Sequence, residues 1–193
     1  VAVAAGDGVQ QLFRDLGVQQ IVSGGQTMNP STEDILHAAE QVPAMDVYVL
    51  PNNKNIVMAA EQAARLARTS GLRRIHVVPT TTIPQGISAM MAYDESAEIK
   101  DNVEAMQEAA SRVQSGSVTF AARDSDYDGH QIKEGELLAL ENGKVAFTGT
   151  DLGSVTAKVA KDLTREDSQF ITLLYGADVS EEQAADVEEA VRS

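Results

Sequence analysis

Three polar segments of the sequence each follow a short apolar run and precede a helical pattern. They cover residues 23–34, 51–55 and 79–86. Their amide and hydroxyl groups are neutral hydrogen-bond donors and acceptors, and Lys54 is their only cation. Because the carboxyl ends of parallel strands meet at one sheet edge, we expect the segments to lie side by side and to bind a partner or ligand there. The candidate binding residues are Gln26, Thr27, Asn29, Asn52, Asn53, Lys54, Thr81 and Gln85.

A structural alternative exists for the same residues. Asn, Thr and Pro commonly cap helices and shape turns, and here they would do nothing else. The shared chemistry of three successive loops favours recognition over this alternative. The glycine pair Gly24-Gly25 does not complete either phosphate-binding glycine motif, so nucleotide binding is not predicted there.

Other clusters of reactive residue types give weaker signals. Residues 124–129 resemble the first half of a calcium-binding EF-hand loop, but position twelve is Gly135 instead of Glu, so an acidic turn between strands is predicted. Arg123, which follows a predicted strand over 118–121, is a further binding candidate. The three histidines are scattered, and neither a metal site nor a catalytic triad is predicted from His37, His76 and His130.

The elements that would position the polar segments alternate between strand and helix as far as about residue 113. This order predicts a mostly parallel, doubly wound α/β sheet with right-handed crossovers. Ser31, with Asp34 three residues later, predicts a helix start, and Asn55 is a second predicted N-cap. Further helices are predicted over 86–92 and 96–113.

The pattern changes after Gly116 to that of a smaller mixed α/β lobe. Glu141-Asn142-Gly143 between two apolar runs predicts a β-hairpin. Residues 170–175 read as a buried strand, and a capping box opening at Ser180 predicts a C-terminal helix. We therefore divide the chain into two predicted domains, 1–113 and 114–193.

Composition excludes several classes of protein. The formal net charge of −14 disfavours binding to nucleic acid or to an anionic membrane. No apolar run approaches the roughly 20 residues that span a bilayer, and no signal peptide is evident. With no cysteine in 193 residues, a cytoplasmic location is the simplest expectation. The strand pattern that begins at Val1 leads us to expect a piece of a longer protein.

Several long motifs closely resemble the C-terminal region of the fatty acid kinase A component, which belongs to a dihydroxyacetone-kinase-like family once described as DAK phosphatases. The resemblance covers essentially the whole chain. The motifs are VSGGQTMNPSTEDIL (22–36), LPNNKNIVMAAEQAA (50–64), VPTTTIPQGISAM (78–90), SGSVTFAARD (115–124) and LLYGADVS (173–180).

The resemblance implies a non-catalytic part of an acyl kinase. In that family an N-terminal domain holds ATP and magnesium through clustered aspartates, and the C-terminal region engages a fatty-acid-binding protein of the DegV type. It also implies a fold similar to DegV and to the dihydroxyacetone-binding kinases, with two lobes facing each other across a cleft. No cofactor, catalytic residue or metal ligand is therefore expected in this chain. The substrate-linking histidine of the dihydroxyacetone-binding kinases has no counterpart here, which argues against sugar binding.

Three functional hypotheses follow from the sequence. The first is a recognition domain that docks the DegV-type partner through the polar loops. The second is a binding domain that holds a fatty acid or a dihydroxyacetone-like molecule in the cleft between the lobes. The third is an assembly domain that forms a homodimer, for which the Ala-rich helix 56–67 is a candidate surface, although packing of that helix inside its own domain is also consistent with the pattern.

Overall fold

The computed structural model of the protein describes residues 1–25, 28–127 and 130–193. They form two compact units, residues 1–113 and 114–193. Both units contain helices and strands, which confirms the predicted mixed α/β class. The elements of the first unit are β1 (Ala2–Ala4), α1 (Asp7–Asp15), β2 (Ile21–Ser23), α2 (Thr32–Gln41), β3 (Asp46–Val49), α3 (Lys54–Ser70), β4 (Arg74–Val77), α4 (Ile83–Met91) and α5 (Ile99–Arg112).

The strands of the first unit form two parallel pairs. β1 pairs with β2, and β3 pairs with β4. An isolated parallel bridge between Ala2 and Leu50 joins the pairs. On either side of it, the Val3 amide donates to the Leu50 carbonyl and the Leu50 amide donates to the Val1 carbonyl, both at 2.9 Å. The lateral order of the strands is therefore β2, β1, β3, β4.

Helices cover both faces of these strands. Val3 lies in an apolar cluster with residues of α2 and α3, among them Ile35 and Ile56. Ala2 and Ala4 lie in a second cluster with residues of α1, α4 and α5. Successive residues of a strand point to opposite faces, so the alternation along β1 separates the two clusters.

The Ala-rich helix α3 packs inside its own unit. Ala60, Ala63 and Ala67 are fully buried in the first apolar cluster. Their small side chains allow the helix to approach the strands closely. This face is therefore not free to form the dimer surface considered above.

Helix starts agree with the sequence in some places and differ in others. Ser31 and Asp34 form the predicted capping box. The N-cap of α3 is Asn53, however, and not Asn55: the Asn53 side chain accepts from the Asn55 amide at 2.9 Å. The helix predicted over 86–92 begins earlier, at Ile83, because Thr82 caps it and proline is tolerated in the first turn. The helix predicted over 96–113 is shorter, Ile99–Arg112.

In the part of the second unit that the structure describes, there are two antiparallel sheets and two helices. Three strands pair in the order β5-β8-β9, and β6 pairs with β7. Asn142 and Gly143 have φ values of 50° and 80°, as the predicted hairpin requires. The elements are β5 (Gly116–Phe120), β6 (Ser125–Tyr127), β7 (His130–Ile132), β8 (Leu137–Glu141), β9 (Lys144–Gly149), α6 (Leu152–Leu163) and α7 (Glu181–Arg192).

Two predictions in the second unit need correction. The acidic turn predicted within residues 124–129 does not include Ser125–Tyr127, which form strand β6; residues 128 and 129 lie outside the described residues. Residues 170–175 are not a buried strand. They have no regular structure, and Phe170 is 88% exposed. An apolar run signals a tendency towards burial, but it does not supply the neighbouring strand that pairing requires.

An ion pair between β3 and β4 makes the stability of the first unit depend on pH. Asp46 accepts from Arg74 at 2.8 and 2.5 Å, and Nε2 of His76 lies 2.8 Å from its Oδ1. The Arg74 hydrogen bonds, and to a lesser degree His76, outweigh partial desolvation and lower the pKa of Asp46 from 3.8 to about 2. The folded chain thus binds this proton more weakly than the unfolded chain does. The ion pair therefore contributes fully to the free energy of unfolding above about pH 4, and this contribution is lost as the pH falls through about 2.

We expect Asp46→Asn to lower the free energy of unfolding by about 1 kcal/mol at pH 7, a modest value because Arg74 is 64% exposed. The difference from the parent protein should disappear between about pH 4 and pH 2. Urea denaturation at several pH values measures this, with Asp162→Asn on the exposed side of α6 as the control. A pH-independent difference would contradict the assignment to the ion pair.

Candidate functional site

The three polar loops meet at one edge of the parallel strands. We call them the polar rim: residues 24–31, 50–55 and 78–85, as far as the structure describes them. They follow β2, β3 and β4 and lead into α2, α3 and α4. Direct hydrogen bonds link the second loop to each of the other two. The expectation that these loops lie side by side is therefore correct for the described residues.

Asn52 is the buried centre of the rim. It has a left-handed φ of 55° and is 6% exposed. Its Nδ2 donates to the Val3 carbonyl at 2.9 Å, and its Oδ1 accepts from the Thr80 hydroxyl at 2.8 Å. The Asn52 backbone amide donates to the same hydroxyl oxygen at 3.1 Å. This one side chain thus joins strand β1 to the third loop, with both ends of its amide satisfied.

Asn53 connects the second loop to the first. Its Oδ1 caps α3, and its Nδ2 donates to the Gly25 carbonyl at 2.6 Å. The Gly25 amide in turn donates to the Met28 carbonyl at 2.9 Å. A Cβ on Gly24, whose φ is 153°, would lie 2.9 Å from that carbonyl oxygen. The backbone of the glycine pair therefore places the Gly25 carbonyl within hydrogen-bonding distance of Asn53.

The third loop is braced by Gln85. Its side-chain oxygen accepts from the Thr81 amide at 2.7 Å and from the Thr81 hydroxyl at 2.9 Å. The Gln85 amide donates to the Thr82 hydroxyl at 3.3 Å, which caps α4. Much of the hydrogen-bonding capacity of this loop is therefore used within the loop.

The predicted site residues thus divide into bracing and presented groups. Asn52, Asn53 and Gln85 hold the loops, as the structural alternative anticipated. Asn29, Lys54 and Thr81 are exposed. Gln26 and Thr27 lie outside the described residues, and Arg123 is an exposed residue of the second unit.

Two residues that sequence reasoning did not select complete the arrangement. Thr80 is 1% exposed and bonds both to the backbone and to the side chain of Asn52. Gly86 lies in α4 directly against the Asn52 side chain. Gly86 is the first residue of the helix predicted over 86–92, and only the earlier start of α4 at Ile83 places it inside a helix, so the sequence pattern contained no signal of this contact.

The described rim contains little that suits proton transfer. Asp34 lies just outside the rim, in the first turn of α2, and its pKa is lowered, chiefly by the hydrogen bond from the Ser31 amide and then by that from the Ser31 hydroxyl, so the carboxylate stays ionised as part of a helix cap. Within residues 1–25, 28–127 and 130–193, no three His, Asp or Glu side chains are placed to hold a metal ion. In the same residues, no helix combines the length and apolar character needed to cross a bilayer.

Comparison with known proteins gives the family. The model of the FakA-like C-terminal family, which describes the C-terminal part of proteins like the A component of fatty acid kinase, matches residues 1–193. The chain belongs to this family. Protein YloV of Bacillus subtilis is 41% identical over 188 residues, which are 97% of this chain and 33% of that protein. An uncharacterised protein of Staphylococcus haemolyticus is 42% identical over 193 residues, all of this chain and 34% of that protein. This member of the FakA-like C-terminal family thus spans about a third of the length of the relatives it matches.

The two neighbouring asparagines of the second loop provide a test of how the rim is braced. We expect Asn53→Ala to lower the free energy of unfolding by about 1–2 kcal/mol, because both the α3 cap and the hydrogen bond to Gly25 are lost. Asn55→Ala should cost less than about 0.5 kcal/mol, since Asn55 is exposed and contributes its backbone amide to the cap. Chemical denaturation measures both, and equal losses would show that Asn53 is not the cap.

Proposed function

We propose that the chain is the recognition domain of a dihydroxyacetone-kinase-like fatty acid kinase, and that its polar rim docks a fatty-acid-binding partner of the DegV type. The observation that carries the proposal is the braced rim. Hydrogen bonds of Asn52 to Thr80 and of Asn53 to Gly25 hold the three loops against one another. These loops carry the exposed residues Asn29, Lys54 and Thr81. Membership of the FakA-like C-terminal family supports the proposal that the chain acts as part of a fatty acid kinase.

The chemistry of the presented groups favours a protein surface over a reacting substrate. Amides and hydroxyls can pair with backbone or polar side chains of a partner, and one cation can pair with a carboxylate. Lys54 is the only Lys or Arg in the rim segments of a chain whose net charge is −14. An acidic group on the partner would therefore find a single positive position, which gives orientation.

Catalysis is proposed to lie elsewhere in the complex. ATP and magnesium would be held by a kinase domain outside these 193 residues, and the docked partner would deliver its fatty carboxylate to the γ-phosphate there. The product of the complex would be an acyl phosphate. The complex is proposed to act in the cytoplasm, where no membrane insertion of this chain is needed.

The fold relationship is also a proposal. Helices on both faces of parallel strand pairs are what a doubly wound domain of the DegV or dihydroxyacetone-kinase type would contain. The lateral order β2, β1, β3, β4 is compatible with such a sheet. A single continuous sheet would strengthen the relationship, whereas the present strands form pairs joined by a bridge.

Titration of the intact protein with a fatty-acid-loaded DegV-type protein tests the function. We expect complex formation, and we expect Lys54→Gln to weaken it about five- to tenfold and to reduce its dependence on salt, because a rim charge is removed. Lys100→Gln is the matched control: that lysine lies on α5 and pairs with Glu104 at 3.6 Å. Calorimetry at two salt concentrations measures both variants.

Three results would contradict the proposal. Absence of a complex at tens of micromolar would remove the docking role. Direct binding of a fatty acid by the intact protein without the partner, abolished by a change in this chain, would favour the ligand-binding alternative. Equal effects of the Lys54 and Lys100 variants would move the docking surface away from the rim.

A further inference from the structure

We infer that Asn52, Thr80 and Gly86 are positioning residues, which set the backbone of the polar rim without touching the partner. The inference rests on the proposed docking function. None of the three is available for contact, since Asn52 and Thr80 are almost completely buried and Gly86 is buried in α4. Their role is to fix where the exposed residues next to them are held.

The Asn52 side chain is fixed from two directions. Val3 accepts its Nδ2 hydrogen at 2.9 Å, and Thr80 donates to its Oδ1 at 2.8 Å. The backbone at Asn52 is left-handed, a conformation that Asn and Gly adopt more readily than other residues. The amide plane therefore has little freedom to move away from a neighbour.

Gly86 is that neighbour. A Cβ placed on Gly86 would lie 2.1 Å from Oδ1, 2.8 Å from Cγ and 2.9 Å from Nδ2 of Asn52. Glycine inside a helix is ordinarily less favourable than alanine. Here an alanine methyl would force either the Asn52 amide or the backbone of α4 to shift, and this contact accounts for a glycine at position 86.

A movement of the Asn52 amide would be transmitted to exposed residues of the rim that lie only one or two residues away in the chain from Asn52 and Thr80. Thr81 directly follows Thr80, and Lys54 lies two residues after Asn52 with Asn53 between them. Asn53 in turn holds Gly25 of the first loop. Displacing the Asn52 amide thus changes the separation of the second and third loops, and the partner would meet Lys54 and Thr81 in the wrong relative positions.

A double-mutant cycle on the intact protein tests the inference. The variants are Gly86→Ala, Asn52→Gly and the combination of both. Asn52→Gly keeps a residue that accepts positive φ and removes the amide that alanine would meet. Gly8→Ala is the control for stability, since a Cβ there meets nothing within 4 Å.

Unfolding should show a reversal of sign. We expect Gly86→Ala to lower the thermal midpoint when Asn52 is present, because the new Cβ displaces a satisfied buried amide. In the Asn52→Gly background the same change should raise the midpoint, as Gly8→Ala should, because alanine is the better helix former. A decrease of equal size in both backgrounds would show that Gly86 does not contact Asn52.

Binding to the fatty-acid-loaded DegV-type protein should show matching non-additivity. We expect Gly86→Ala to weaken binding about tenfold in protein that remains folded by circular dichroism, and less than about twofold when added to Asn52→Gly, since contacting residues do not act independently. A purely structural role would leave the affinity of the folded fraction unchanged. Such a result would overturn the inference while leaving the docking function intact.

The two proposals fail in different ways. If the parent protein does not bind the partner, the docking function is wrong and the positioning role falls with it, whatever the unfolding cycle shows. If the parent binds and folded Gly86→Ala binds equally well, only the positioning role is wrong.

Discussion

The first unit depends on one buried amide at the edge of its strands. Removing an amide from water is costly unless both its oxygen and its nitrogen find partners, and Asn52 finds them on two different elements. The strands themselves are only three or four residues long, and a single bridge joins the two pairs. The side chain of Asn52 therefore links β1 to the loop after β4 by hydrogen bonds, in the region where few backbone hydrogen bonds join the two strand pairs.

This arrangement separates two tasks that loops often combine. Asn52, Asn53 and Gln85 use their hydrogen bonds within the protein itself, while Asn29 and Lys54 are exposed; Thr81 is exposed as well, with its amide and hydroxyl donating hydrogen bonds to Gln85. A surface whose backbone is already fixed loses less conformational entropy when it binds. A small number of exposed polar groups can then be enough for recognition, provided that the buried residues beneath them hold these groups at a fixed spacing.

Local signals in the sequence predicted local structure well. The capping boxes at Ser31 and Ser180 and the turn at Asn142-Gly143 depend on residues close in sequence, and all are present. The sequence predicted Asn55 and not Asn53 as the N-cap of α3, because both asparagines precede the same helical pattern and the pattern does not distinguish them. What decides it is the Gly25 carbonyl, 28 residues away in the chain, which fixes Asn53 in place.

Long-range requirements account for the remaining differences. The apolar run 170–175 predicted a strand, but pairing needs a neighbouring strand that the pattern of one segment cannot reveal. Likewise the polar residues chosen as one site divide by depth, which depends on what packs above and below them. Residue type predicted which loops lie together, whereas only the folded chain distinguishes the residues that hold these loops from those that are exposed.

The close approach of Gly86 to Asn52 also bears on how such a domain can evolve. Alanine at position 86 would improve the helix, yet it would meet an oxygen at 2.1 Å as long as the amide is in place. Alanine at position 86 should therefore be tolerated better after position 52 has lost its side chain than before. The side chain at position 52 restricts what natural selection can accept at position 86, so we expect a residue larger than glycine at position 86 in relatives whose position 52 has lost its amide.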